Sequence, residues 1–223
     1  MALRLYPFRQ YSDHDVINMF ANQIVDDNPS TDGDGSAGVL VKVLSGNLKK
    51  DVVDFAASSS YLGKTDYPFL GADKYPQVPL RCIAATTGAP VLGVTLNQTI
   101  KNDENGEKLI YNPIKRDELQ AVLSGQAVPV ATRGLFTFSN SAYTVAATFI
   151  PGNLAVVSAT AGTMDGVSAD LLNKQRLVGH ILATGNRTSQ MGQVDGFAGT
   201  GTAQYAMVYI DAAASWSVGD NNA

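Results

Sequence analysis

Short apolar runs separated by turn-forming residues dominate the second half of the chain. Each run is bounded by Gly, Pro, Asn or Ser, and the clearest ones lie at residues 91–96, 128–136, 151–157, 178–183 and 205–210. Runs of this length between turn residues predict strands. Their close succession predicts a mainly β fold, namely a small antiparallel β-barrel or sandwich preceded by an N-terminal arm and a short helix.

The N-terminal segment differs from these runs. Leu3 to Tyr11 is rich in large side chains and contains Pro7, which disfavours a helix, so we expect an extended arm that packs on its own domain or reaches a neighbour. Ser12 is a good N-cap, and Val16, Phe20 and Ile24 share one helical face, which predicts a short helix over 13–25. A strand is predicted over 38–46, with a neighbour over 50–55.

The order of these signals predicts three parts. Residues 1–80 form an N-terminal arm, short helix and strand region, residues 81–215 form the β-barrel domain, and residues 216–223 form a polar tail. The boundary is placed near the long irregular stretch 58–78, which contains two prolines and several aromatic residues. One or two helical turns are also expected over 115–123, ending at Gly125.

Two predicted strands are apolar on both faces. At the C-terminal end, Tyr205, Met207 and Tyr209 alternate with three smaller apolar residues, Ala206, Val208 and Ile210. The stretch 143–150 has the same character. An antiparallel strand with one solvated face alternates apolar and polar residues, so two apolar faces predict cover on both sides, from another layer of this chain or from a second subunit.

The composition is consistent with an assembly and equally with an ordinary surface of neutral polar residues. The chain is 45% hydrophobic but only 16% charged, whereas soluble domains average about 25% charged residues. A net charge of −4 argues against binding to nucleic acid, which needs a clustered positive field. Cys82 is the only cysteine and is expected to be a small buried apolar residue. The sequence shows no signal peptide and no apolar run long enough to span a membrane, so we expect a soluble intracellular product.

Candidate chemistry is sparse. Gly33–Gly38 matches a dinucleotide-binding pattern by letter but opens a strand instead of a helix. The acidic stretch Asp26–Asp34 leaves open a weak calcium site, although the last liganding position of a calcium loop is Val39. His14 and His180 are the only histidines, and both are expected to be structural. We therefore predict no catalytic residues, no cofactor and no metal site, with a hydrolase site around His180 as a remote alternative.

The order of motifs from Ala89 onward resembles that of small β-barrel structural proteins of tailed-phage virions, which include capsid decoration and minor head proteins. The resemblance rests on five segments: Gly93–Leu96, Pro129–Phe136, Pro151–Val157, Val178–Leu182 and Ala206–Ile210. The opening segment, with Leu3–Tyr11 and Val16–Phe20, is similar to virion proteins of marine cyanobacterial phages. The stretches 58–78 and 101–112 depart from the compact family pattern.

The resemblance implies a non-enzymatic virion protein, made in the host cytoplasm, that decorates or cements the capsid. Its expected partners are the major capsid protein and itself, as a homotrimer, with no nucleic acid and no membrane. The arm would act as a clasp. The expected capsid or oligomer interface comprises Leu3, Leu5, Tyr6, Phe8, Tyr11, Tyr205, Met207 and Tyr209. The alternative is a carbohydrate- or host-surface-binding virion module that uses the aromatic residues of 58–75.

Overall fold

A computed structural model describes residues 4–21, 36–44, 80–100, 103, 105–122, 126–144, 146–168, 177–185 and 205–212. The fold is mainly β with antiparallel sheets, a small closed barrel and a short helix, which confirms the predicted fold class. The strands are β1 (Leu5–Gln10), β2 (Val16–Ala21), β3 (Leu40–Leu44), β4 (Arg81–Ala84), β5 (Gly93–Thr95), β6 (Gln98–Thr99), β7 (Ala121–Val122), β8 (Ala127–Ala131), β9 (Arg133–Ser139), β10 (Leu154–Val157), β11 (Met164–Val167), β12 (Leu177–Gly185) and β13 (Tyr205–Asp211). The helix α1 spans Pro113–Glu118.

The strands form an open sheet and a closed barrel. The open sheet has six antiparallel strands in the order β1-β9-β13-β12-β10-β11. The barrel closes five strands in the order β2-β4-β3-β5-β8, and only its β2–β4 pair is parallel. β6 and β7 form a separate, small parallel pair, and α1 lies between these two strands in the sequence.

Two chain segments, one running from β1 to β2 and the other from β8 to β9, connect the sheet to the barrel. β1 pairs with β9 in the sheet, and their continuations β2 and β8 pair in the barrel. At the bend, the carbonyl oxygen of Asp15 accepts hydrogen bonds from the Thr132 backbone N–H at 2.8 Å and from its hydroxyl at 2.9 Å. Gly134 follows with a φ of 147°, and a Cβ there would lie 2.7 Å from the Gln10 carbonyl oxygen. The corner therefore requires glycine at this position.

The core has two main parts. The larger cluster lies between the sheet and the barrel and includes Phe136, Phe138 and Val208, together with Leu40 of β3. The smaller cluster fills the barrel and includes Met19 and Val41. Since successive residues of a strand point to opposite faces, β3 contributes to both clusters and fixes the barrel against the inner face of the sheet.

The predicted helix over 13–25 is wrong. The described part is a 3-10 turn, Asp13–Asp15, followed directly by β2. Ser12 does cap the turn, since its hydroxyl accepts a hydrogen bond from the His14 N–H at 3.3 Å. The β-branched and aromatic residues that followed suited a strand equally well, and pairing with β8 on one side and β4 on the other decided the outcome.

The predicted strand over 143–150 is also wrong. Tyr143 makes a single β-bridge to Met164, and turns follow it. The rings of Tyr143 and Phe149 are buried and stacked with centroids 4.3 Å apart. Residues six positions apart in one strand lie about 20 Å apart, so this stacking requires the chain to fold back. Burial, and secondarily the nearby Tyr6, raise the pKa of the Tyr143 phenol.

The other element predictions fared better. The runs at 91–96 and 151–157 contain β5 and β10, the runs at 178–183 and 205–210 lie within the longer strands β12 and β13, and the strand predicted over 38–46 contains β3. The run 128–136 divides at Thr132 into β8 of the barrel and β9 of the sheet. The helix predicted over 115–123 is right only in its first part: α1 spans Pro113–Glu118, and Ala121–Val122 form the strand β7 instead of a further helical turn.

Strand pairing crosses the boundary proposed near residue 80. β1 to β3 precede this position, yet β1 pairs with β9, and β2 and β3 share the barrel with later strands. The proposed strand over 50–55, the loop over 58–78, Gly125 and the tail lie outside the described residues. Within the part of the chain that is described, no helix is long and apolar enough to cross a membrane.

Cys82 lies fully buried in the barrel interior, as predicted. Burial raises the pKa of its thiol from 9.0 to about 12. Because the thiolate is the nucleophile, we expect the native protein to resist a disulfide or maleimide reagent at pH 8 and to react once it is unfolded in guanidinium chloride. Rapid stoichiometric labelling of the native protein would contradict this placement.

Candidate interaction surface

The outer face of the six-stranded sheet faces away from the barrel. Along β13 the residues Ala206, Val208 and Ile210 are fully buried in the core, whereas Tyr205, Met207 and Tyr209 are half-buried on the opposite side. The two apolar faces predicted for this strand are therefore present. The inner face is covered by the barrel, and the outer face carries large apolar side chains at the surface.

A shallow apolar groove runs along this outer face. In the sheet order, β9 lies between β1 and β13, and Met207 is paired with Thr137 of β9. Thr137 of β9 lies between the larger side chains of Tyr6 and Phe8 on β1 and of Tyr205 and Met207 on β13, so it forms the floor. The groove has a volume of about 460 Å³ and is lined by Tyr6, Pro7, Phe8, Thr137, Tyr205 and Met207.

The floor of the groove contains an unsatisfied hydroxyl. Thr137 is only 8% exposed, and its Oγ1 has no hydrogen-bond partner among the described residues. Leaving a buried hydroxyl unpaired costs about 1–3 kcal/mol. A partner that fills the groove and offers a polar group to Thr137 would recover much of that cost.

A partner protein is more easily bound on the outer face of the sheet than by strand pairing at the β1 edge. β1 is the terminal strand, and Pro7 near its centre has no N–H to donate. A proline on an edge strand discourages pairing with a strand from another chain. By contrast, Phe8 is 53% exposed beside the groove.

The structure brings together four of the predicted interface residues, because Tyr6, Phe8, Tyr205 and Met207 line one groove. Tyr209 lies on the same side of β13. Leu5 points the other way, into the core, where it is 6% exposed. The ring of Tyr11 stacks on Phe136 at the far end of β1. Leu3 lies outside the described residues.

Sequence reasoning missed other residues of this surface. Thr137 and Pro7 complete the groove, and Leu182, 52% exposed, sits at a register shift of β12. The alternation along β9, with Phe136 and Phe138 buried in the core, was a usable signal that Thr137 points outward. That signal does not identify which strands flank β9.

The residues considered for chemistry do not converge on a site. His14 is exposed in the turn before β2, and His180 is exposed on β12, paired with Tyr209. Within the described ranges, no three His, Cys, Asp or Glu side chains are close enough together to hold a metal ion. The acidic stretch 26–34 and the aromatic loop 58–75 lie outside those ranges.

Comparison of the chain with protein-family models, with curated proteins and with solved structures finds no significant match.

Proposed function

We propose that this protein is a non-enzymatic structural component of a phage particle that binds the shell of the major capsid protein through the groove on the outer sheet face. The observation that supports this proposal most is the groove itself. Large side chains on β1 and β13 form its two sides, and the buried Thr137 hydroxyl on its floor has no hydrogen-bond partner among the described residues. The resemblance of the chain to virion proteins of the decoration and minor head type supports the choice of partner.

The energetics suit a protein partner. Fully burying a Phe or Met side chain contributes about 1.5–3 kcal/mol, before the cost of ordering the two partners. Aromatic residues and Met are enriched at the centres of interfaces, where a few of them supply most of the binding energy. The groove concentrates Tyr6, Phe8, Tyr205 and Met207 in this way.

Co-sedimentation tests the proposal. The purified full-length chain is mixed with empty shells assembled from the major capsid protein encoded with it, and the shells are pelleted. We expect the chain to pellet with the shells in a fixed, saturable ratio. A chain that stays in the supernatant at every concentration would contradict the proposal.

The proposal includes self-association as a homotrimer. Sedimentation equilibrium of the free chain is expected to give three times the monomer mass of 23.5 kDa. Because the groove is assigned to the capsid, Phe8→Ser should weaken shell binding and leave the trimer intact. A monomer at all concentrations would remove the trimer from the proposal, and a trimer dissociated by Phe8→Ser would move the groove to the subunit interface.

Deleting the N-terminal arm does not give a clean test of whether the arm binds the capsid. β1 is an integral strand of the sheet, paired with β9, and Leu5 is part of the core. Removal of residues 1–11 is therefore expected to destabilise the fold as well as the interface. Substitutions of Phe8, whose side chain is half-exposed, separate the two effects.

A further inference from the structure

A second concave region, which shares no lining residue with the groove, lies at the C-terminal end of β1. It is a cleft of about 660 Å³ at the place where the end of the arm, the β5–β6 turn and α1 meet. Its volume falls within the usual range of small-molecule sites. Unlike the groove, most of its lining side chains are polar, and they include Arg9, Asn18, Asn97, Asp117 and Gln120.

Two residues with carboxamide side chains, Asn97 and Gln120, line this cleft. Asn97 directly precedes β6, Gln120 directly precedes β7, and these strands pair in parallel with Gln98 opposite Ala121. Paired strands lie about 4.8 Å apart, so these two residues enter the cleft from adjacent chain segments. Each carboxamide both donates and accepts hydrogen bonds, so the pair can bind neighbouring hydroxyl groups, which also do both.

The backbone of Gln120 is strained. Among the described residues it is the only non-glycine residue with a positive φ, at 49°. Its N–H donates a hydrogen bond to the Asp117 carbonyl oxygen at 3.1 Å, which closes the turn after α1. Side-chain-bearing residues in this conformation are uncommon, and such strain clusters at binding sites. A glycine would fit the turn better, so the Gln side chain is retained at a cost to the fold.

The rest of the lining is also held in place. The ring of Tyr11 is 36% exposed and stacks on Phe136 with centroids 5.8 Å apart. The Arg9 guanidinium donates a hydrogen bond to the Leu96 carbonyl oxygen at 3.4 Å. The Arg116 guanidinium lies 3.3 Å from Asp117 Oδ1. Fixed side chains lose less freedom when a ligand binds.

The charges in the cleft balance. Arg9 and Arg116 are opposed by Asp13 and Asp117, so the lining has no net charge to attract an anion. Many donors and acceptors, an aromatic ring and a neutral balance together suit a neutral polyhydroxylated ligand. We infer that this cleft binds a short neutral oligosaccharide. The inference uses residues outside the groove and does not depend on the proposed capsid contact.

A glycan array carrying neutral, sialylated and sulfated oligosaccharides tests the inference with the full-length protein. We expect binding to a subset of the neutral glycans, followed by calorimetry with the strongest neutral oligosaccharide in free form. No binding anywhere on the array, or binding only to the anionic glycans, would overturn it.

Matched carboxylate variants locate the site. Asp117→Ala is expected to lower the affinity for that oligosaccharide about tenfold, since a charge-assisted hydrogen bond is lost. Glu118→Ala removes a carboxylate from the neighbouring exposed position of α1, which does not line the cleft, and should leave the affinity unchanged. Both variants should bind capsid shells like the wild type. Equal affinities of the two variants for the oligosaccharide would overturn the assignment.

The variant Gln120→Gly distinguishes a role of Gln120 in ligand binding from a purely structural role. The substitution relieves the strain at a positive φ, so the melting temperature should rise, while loss of the carboxamide should weaken oligosaccharide binding several-fold. A higher melting temperature with unchanged affinity would show that Gln120 takes no part in binding and would contradict the site.

Discussion

Met207→Glu is expected to lower the affinity of the protein for capsid shells by about 100-fold or more, which corresponds to about 2.7 kcal/mol. Met207 lines the groove from β13 and pairs with Thr137 on its floor. The substitution removes an apolar contact and places a carboxylate where a partner would exclude water. Burying an unpaired charge at an interface costs more than the lost contact alone.

Ile114→Glu is the matched control for this prediction. Ile114 is the most exposed of the large apolar side chains in the described ranges, lies on α1 and does not line the groove. Both variants should unfold within a few degrees of the wild type, because neither side chain belongs to the core. Shell binding measured by co-sedimentation should fall only for Met207→Glu. Unimpaired binding by that variant would remove the groove from the capsid interface.

Gly179→Ala is expected to lower the free energy of unfolding by about 3 kcal/mol, at the upper end of the cost of overpacking. Gly179 lies on β12 opposite Ile210 of β13. A Cβ at this position would overlap the backbone carbonyl oxygen of Tyr209 and lie 3.0 Å from the Cα of Ile210. Backbone atoms in the middle of a sheet cannot move aside as a flexible side chain can, so the two strands must separate.

Thermal and denaturant unfolding measure this effect. For a chain of this size, the expected loss corresponds to a fall in melting temperature of roughly 6–12 °C. Ala183→Val adds volume to the same strand at a half-exposed position and should change stability by less than about 0.5 kcal/mol. A Gly179→Ala variant as stable as the wild type would contradict the close approach of β12 and β13.

Local patterns in the sequence predicted which residues of a strand lie on each of its two faces. The alternation along 205–210 separated the residues that are buried in the core from those on the outer face, and the structure confirms the separation. Cys82 was placed in the core by its residue type, because free cysteines are among the most often buried residues, and the structure confirms this. Residue type, and spacing within one segment, are both displayed directly by a sequence.

Features that depend on distant partners were not predictable in this way. The spacing of Val16 and Phe20 fits both a helix and a strand, and only pairing with β8 and β4 distinguishes them. Thr137 becomes the floor of a groove because β1 and β13 flank β9, which no local pattern reveals. Likewise, Asn97 and Gln120 are brought together by the β6–β7 pair.

A cryo-electron microscopy reconstruction of capsid shells saturated with this protein tests the central claim most directly. We predict that capsid protein density packs against the groove and contacts Phe8 and Met207, with a polar group of the shell within hydrogen-bond distance of the Thr137 hydroxyl. A reconstruction in which the outer sheet face is open to solvent, or is covered by a neighbouring copy of the same chain, would contradict it.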